Sequence, residues 1–338
     1  MNIRCNCKTD ESEEQRKKKM AESQQTVYEP SDAQYALYYW IHLKDVKNDD
    51  EIVKQIVRSC AQIDHTAQRV DDPTDLKVGV GFGKQFLEQI TKIMQEKGLG
   101  TNFMPNLKAP EYTDWKLKQE IVLPSTGGDI FVHAKGNNVG TLYEFQHLFF
   151  NTLPEQSVDV AKTNITRGFT YQNHRDISGY MDGIANPLTT EERRNAAVVA
   201  NTGGSFVVTQ KWEHLMNVIQ VERPDNDTVA IQDLWIGRKR ENGRLIENMP
   251  RTSHVKLMRQ VQERNQQIVR QSLPYTEESG RTGLFFLAYA NNIQVFEEMF
   301  EAMTQETGDM LFLMSTNTSG TYWYFPGLME LKNLHINI

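Results

Sequence analysis

Two stretches of this chain carry one pattern twice: GGDIFVHAKGNN (residues 127–138) and TGLFFLAYANN (282–292). Each is a glycine-led apolar run closed by Asn-Asn, and an amphipathic helical pattern follows each. An apolar run bounded by turn residues predicts a strand, and the polar pair predicts a turn into a helix. The pattern extends outward. In the first half, YALYYWIHLKD (35–45) reads as a strand. DDEIVKQIVRSCAQIDHTAQRV (49–70) places Ile52, Val53, Ile56, Val57, Cys60 and Ile63 at helical spacing. LKVGVGFGKQFLEQITKIM (76–94) reads as a strand, a turn through Gly79, Gly81 and Gly83, then a helix. In the second half, SFVVTQKW (205–212) predicts a strand leading into a helix at HLMNVIQ, VRQSLPY (269–275) is strand-like, and YWYFPGL (322–328) is a late strand. Two βαββαβ halves predict an α+β fold of two ferredoxin-like modules, with antiparallel sheets and flanking helices of the dimeric α+β barrel type. The boundaries are a polar leader over 1–25, a first module over 26–188 and a second over 189–338. TTEERRNAAVVANTGG (189–204) suits a connector, and ERPDNDTVAIQD (222–233) reads as an exposed loop.

At 338 residues the chain has room for two domains, and a hydrophobic fraction of 39% can fill their cores. A net charge of -7 argues against a nucleic-acid partner, which needs a basic face. No run approaches the ~18 apolar residues of a membrane span. The leader MNIRCNCKTDESEEQRKKKMAESQQ has no apolar signal core and reads as disordered. Its cysteines, Cys5 and Cys7, lack the spacing of a zinc hook or a haem-attachment site. With Cys60 they are the only three, which fits a reducing, cytoplasmic location.

The chemistry concentrates in few places. SGYMDGIANP (178–187) sets Asp182 between glycines. A plain turn explains this, because Asp and Gly are turn residues. Equally, glycines let a backbone press against a flat group while the acid faces a reacting atom. His42, His133, His147 and His214 sit in strand or helix patterns without a second ligand at metal spacing, and their plain reading is packing or surface. No H-E-x-x-H, Walker loop or nucleophile elbow occurs, and GVGFG lacks the dinucleotide spacing. His254 lies in NMPRTSHVKLMR (248–259), and Arg270 interrupts the apolar VRQSLPY. A loop histidine and a structural ion pair are their plain readings. One His, one Asp and one Arg could also act together. A lone imidazole can hold haem iron, a carboxylate can move a proton between the oxygens of peroxide, and a guanidinium can stabilise the charge that develops.

SGYMDGIANP resembles the G-x-x-D-G signature of the dye-decolourising peroxidases. TRGFTYQNHRDISGYMDG (166–183), GGDIFVHAK, IGRKRENG (236–243), PRTSHVKL and VRQSLPYTEESGRTGLFFLAY are similar to the family's other blocks. They run in the expected order over about residues 30–328, closest to the shorter bacterial-type subgroup. The resemblance implies a peroxidase that uses haem b and hydrogen peroxide, oxidises dyes or other one-electron donors, and favours acidic pH. It implies a homodimer or larger homo-oligomer, with no nucleic-acid or membrane partner. Carried over residue by residue, Asp182 is the distal acid, Arg270 the distal arginine and His254 the iron ligand. Ser272 is a distal polar residue, and Asp309 in ETGDMLFL is the acid that bonds the proximal imidazole. Arg238 reaches a haem propionate, and Gly183, Ile184 and Ala185 lie at the haem edge. The chain departs from the frequent D-G-T-E-N-P at Ile184 and Ala185. Electrons could travel through Trp212, Trp235, Tyr322, Trp323 and Tyr324, although packing is the plain role for each. The alternative function is a haem-binding or haem-handling protein with little turnover; it needs His254 but not Asp182.

Overall fold

The computed structural model describes residues 22–30, 32–44, 49–98, 111–219, 229–264 and 267–338. Strand β1 (Tyr35–Ile41) shows how the fold is built. Successive side chains of a strand face opposite ways. Leu37, Tyr39 and Ile41 therefore join one apolar cluster, while Ala36, Tyr38 and Trp40 join another. β2 (Lys77–Gly83), the hairpin β3 (Trp115–Leu117) and β4 (Glu120–Leu123), β5 (Ile130–Gly136) and β6 (Asn164–Phe169) complete the strands of the first half. β7 (Ser205–His214), β8 (Val269–Arg270), β9 (Leu273–Thr276), β10 (Thr282–Ala290) and β11 (Ser315–Phe325) form the second.

The main sheet runs β7-β11-β2-β5-β1-β6-β9-β10-β8, and a further β7–β10 pairing closes it into a ring. Its pairings are antiparallel. β8 and β9 both pair with β10, as two pieces of one interrupted strand. Within each half the strand order is the same. β2-β5-β1-β6 and β9-β10-β7-β11 both place the half's own strands in the order second, third, first, fourth. The two turns that suggested a repeat also act alike. Asn138 Oδ1 accepts from Gly140 N at 2.7 Å, and Asn292 Oδ1 accepts from Gln294 N at 3.0 Å. Each fills an orphan N–H at the start of a helix, Val139–Phe150 and Gln294–Met303.

Inside the ring, Tyr38 stacks on Phe285 at 4.1 Å and Trp40 meets Trp323 edge-on at 5.4 Å. Burying each such side chain contributes about 2–3 kcal/mol. Outside the first half, helices Asp50–Ala61, Lys84–Glu96 and Val139–Phe150 cover the sheet. Outside the second half, His254–Gln262 and Gln294–Met303 pack over β7, β10 and β11. Between those two helices and the sheet the packing leaves the large cavity described below.

Several readings change. Gly79, Gly81 and Gly83 lie within β2 rather than in a turn. A Cβ on Gly81 would sit 2.2 Å from the Phe325 ring, so close packing explains the glycine. The connector 189–204 contains the helix Thr190–Ala197, because Thr189 and Glu192 form a reciprocal capping box. Within the loop read at 222–233, residues 222–228 lie outside the described residues. Ile231–Ile236 is helical, with Gln232 and Asp233 buried. The late strand starts earlier, at Ser315. The leader lies outside the described residues except for 22–25, of which Gln24 is packed. Gln24 is buried and bonds Val80 O and Pro326 O at 2.8 Å each. Trp212, Tyr322, Trp323 and Tyr324 are buried and Trp235 is half-buried, so none presents an open surface. Among the described residues no helix is long and apolar enough to cross a membrane.

Candidate active site

The cavity encloses about 1410 Å3, its open mouth included. Outward-facing residues of the second-half sheet, Trp212, His214, Leu284 and Phe286, form one wall. Helices His254–Gln262 and Gln294–Met303 supply His254, Met258, Met299 and Phe300. The loop after β6 brings Asp182, Ile184 and Ala185, and Arg238 and Arg270 add to the polar lining. Asp182, His254, Arg238 and Arg270, separated by up to 88 residues in sequence, thus share one space.

His254 is the first residue of its helix, behind the N-cap Ser253. Its Nδ1 lies 2.8 Å from Asp309 Oδ2, and the Asp309 side chain is fully buried. Asp309 also caps the 3-10 helix Met310–Leu313 by accepting from Leu311 N at 2.8 Å. Met310 N donates to Thr252 O at 3.0 Å, which fastens that cap to the turn before His254. With Nδ1 engaged, Nε2 is the nitrogen left for a ligand. Among the described residues no group of three His, Cys, Asp or Glu side chains could hold a bare metal ion, so a metal here needs donors of its own.

Asp182 and Arg270 face each other more loosely. Asp182 Oδ1 is 3.6 Å from Arg270 Nη1, and each side chain is 23% exposed. This is a charge contact beyond hydrogen-bond length. Asp182 Oδ1 also accepts from Gly183 N at 2.7 Å. Gly183 has φ +75, the left-handed region that favours glycine, and a Cβ there would meet nothing closer than 3.7 Å. That backbone conformation is one reason for a glycine here. Arg175 anchors the loop by donating to Gly179 O at 2.7 Å and Arg240 O at 2.6 Å. Ile184 Cδ1 and Met181 Sδ crowd the Cα of Gly243, so Ile184 is a packing contact between two loops. Arg238 donates to Gly243 O at 2.8 Å. Burial, then the charges of Arg270 and Arg259, lowers its pKa. Four cations, Arg238, Lys239, Arg259 and Arg270, against the two lining carboxylates, Asp176 and Asp182, favour an anionic ligand.

Ser272 and Gly183 do not line this cavity. They line a second one of about 940 Å3 that shares Asp182 and Arg270 as its wall. Ser272 Oγ accepts from Leu287 N at 3.2 Å, filling the ladder where β8 and β9 are interrupted. The plain reading of His214 changes too. Its side chain is only 6% exposed, with Nε2 at 2.8 Å from Asp176 Oδ2 and Nδ1 at 2.7 Å from Ser315 Oγ. Burial raises the Asp176 pKa, but the His214 charge and bonds from His214 and Ser178 outweigh it and lower it overall. The pair ties the segment before Asp182 to β7. Asp176 lies in the quoted block TRGFTYQNHRDISGYMDG, but its partner is 38 residues away and no spacing rule links them. His133 is buried, bonded to Tyr289 OH at 2.8 Å.

A family model described as "Dyp-type peroxidase, C-terminal" matches residues 173–330. The dye-decolorizing peroxidase of Brevibacterium linens is 26% identical over 219 residues, covering 60% of this chain and 57% of that protein. That of Mycobacterium tuberculosis is 27% identical over 221 residues, covering 60% and 62%. The matches thus span about three-fifths of these relatives. A dye-decolorizing protein from V. cholerae has a solved structure that is 26% identical, with a TM-score of 0.74 over 92% of this chain and 99% of that one. A variant of DypB from Rhodococcus jostii RHA1, solved in complex with heme, gives a TM-score of 0.77 at 21% identity over 91% and 97%. The matched segment holds Asp182, His254, Arg270 and Asp309, and the mixed α and β fold with its antiparallel sheet is shared along nearly the whole chain. Over residues 173–330 the chain thus matches the Dyp-type peroxidase family, and it resembles solved members in fold along nearly its whole length.

Proposed function

We propose that this protein is a haem b-dependent peroxidase that reduces hydrogen peroxide and oxidises dyes or other one-electron donors. The observation that carries the proposal is one cavity lined by a carboxylate-bonded imidazole, His254, and by the acid and cation Asp182 and Arg270. The residues fit haem. Leu284, Phe286, Met258, Met299 and Phe300 suit an apolar macrocycle, and Arg238 and Arg259 suit its carboxylates. His254 Nε2 suits its iron.

When bound, haem supplies the iron at which peroxide is reduced. The chain's residues do the rest. Asp309 fixes the imidazole's orientation and raises its basicity through Nδ1. Asp182 accepts a proton from one peroxide oxygen and returns it to the other as the O–O bond breaks. Arg270 stabilises the negative charge on the departing oxygen. Over a full cycle peroxide takes up two electrons from two donor molecules and two protons, giving two waters. Gly183, Ile184 and Ala185 border the distal side, and Ser272 serves it from the second cavity. The repeated strand order supports two ferredoxin-like modules, divided near residue 188. A homodimer or larger assembly and a cytoplasmic location complete the proposal.

The test is an absorption spectrum of the purified chain, before and after haem loading and after one equivalent of peroxide. Asp182→Ala should keep the haem band and lose the peroxide response. An unchanged peroxide response in that variant would favour the haem-handling reading, and no haem band in any preparation defeats both.

A further inference from the structure

Arg270 sits on a very short strand. β8 is two residues long, and on one side Arg270 pairs with Ala288 of β10. Its backbone N–H and C=O therefore face the other way, where a further strand would continue the sheet. The Asn186 side chain stands there instead. Arg270 N donates to Asn186 Oδ1 at 2.8 Å, and Asn186 Nδ2 donates to Arg270 O at 2.9 Å. One amide thus replaces a strand's worth of hydrogen bonding at a single residue. Asn186 is held in turn, because its N–H donates to Gly183 O at 3.0 Å and closes a tight turn over residues 183–186, directly after Asp182. Pro187 follows, buried, and restricts the backbone of Asn186 before it.

We infer that Asn186 is a positioning residue: it carries the loop of Asp182 and the backbone of Arg270 as one unit, and so sets the spacing between acid and cation. The inference rests on the peroxidase reading for its consequence, but not for the clamp itself. Asp182 and Arg270 are joined by only a 3.6 Å charge contact, which cannot fix their geometry. Only an amide side chain of this length both accepts and donates at one backbone residue. Aspartate accepts but cannot donate, and alanine does neither.

The experiment uses the full chain with Asn186→Ala, Asn186→Asp, Arg270→Leu and the Asn186→Ala/Arg270→Leu double variant. Without haem, amide hydrogen exchange is read at residues 268–272. Asn186→Ala should speed exchange of the Arg270 amide by about tenfold or more, and Asn186→Asp should leave it protected. With haem, the second-order rate with peroxide should fall about 10–100-fold in Asn186→Ala, the scale of a misplaced catalytic group, and by less in Asn186→Asp. In the Arg270→Leu background, adding Asn186→Ala should change the rate less than threefold, because nothing remains to position. Equal losses in both backgrounds overturn the inference, as does unaltered exchange at Arg270. If Asn186→Ala does not fold, Asn186→Asp decides: a rate equal to the unsubstituted protein overturns the clamp. If the unsubstituted protein binds haem but does not react with peroxide, the peroxidase reading fails, while the exchange measurement still judges the clamp.

Discussion

The two acids of the cavity are held in opposite ways. Asp309 is fully buried, 2.8 Å from the His254 ring, and also accepts from Leu311 N. Asp182 is 23% exposed, 3.6 Å from Arg270, on a loop held by its own Arg175 and Asn186 side chains. A group that only orients a ligand gains from being locked. A group that must take up and release a proton in each cycle needs room and a cation that stabilises its charged form without binding it tightly. On the proposed reading, the rigid acid belongs behind the iron and the looser one in front of it.

The largest expected effect comes from removing the loosely held acid. Asp182→Ala should slow the peroxide reaction by about 10²–10⁴-fold, the contribution of a positioned acid–base group, with haem retained. Stopped-flow mixing with peroxide measures it, and a change under threefold breaks the contrast. Arg270→Leu should cost slightly less, about 10²–10³-fold, as for loss of one charge-stabilising donor. The locked side should answer differently. Asp309→Asn keeps the shape and weakens the hold on the imidazole proton. It should lower haem affinity about 10–100-fold and raise the iron's reduction potential, with a smaller effect on the peroxide rate than Asp182→Ala. Haem titration and potentiometry separate these. If Asp309→Asn slows the peroxide step as much as Asp182→Ala, the two acids do not divide the work.

The contrast continues behind the distal pair. Lys135 lines the second cavity, is buried, and donates to Gln271 Oε1 at 2.5 Å and Glu29 O at 3.3 Å. Burial, then the charges of Lys77 and Arg193, brings its pKa from 10.5 down to about 7. Between those values the folded chain binds fewer protons than the unfolded one, so stability from this group rises with pH. Its cost is complete below pH 7 and fades toward 10.5. Lys135→Met should therefore be more stable than the unsubstituted protein at pH 6, by about 1–3 kcal/mol, and lose that margin by pH 10. Urea unfolding at both pH values measures it, and an equal margin at both sinks the assignment.

How far the sequence discloses this arrangement depends on the range of the interaction. The strands around GGDIFVHAKGNN and TGLFFLAYANN are legible because periodicity and turn chemistry are local, and their Asn caps act within three residues. His254, Asp182 and Arg270 are odd residues in their stretches and could act together, yet only the family resemblance gives each its role. Asp309 also needed it, because 55 residues separate it from its partner. Asn186 was in plain sight at the end of SGYMDGIANP, but its partner is a backbone 84 residues on, and backbone partners leave no mark on side-chain patterns. His214 was missed for a related reason. A buried ion pair looks, one residue at a time, like two surface polar groups. The glycines of β2 misled in the other direction: glycine for close packing against Phe325 reads the same as glycine for a turn.

The smallest effect is expected at Ser272, where resemblance and geometry pull apart. Resemblance assigns it to the distal face. In the fold its hydroxyl accepts from Leu287 N at the break between β8 and β9, on the far side of the Asp182 and Arg270 wall. If that bond is its main duty, Ser272→Ala costs about 0.5–1.5 kcal/mol of stability and leaves the peroxide rate within about twofold, because Arg270 keeps its Asn186 clamp and its pairing with Ala288. If the rate instead falls tenfold at unchanged stability, the hydroxyl reaches the reacting face through the shared wall. The two cavities then work as one site, and the boundary between its tightly and loosely held parts must be redrawn behind β8 rather than in front of it.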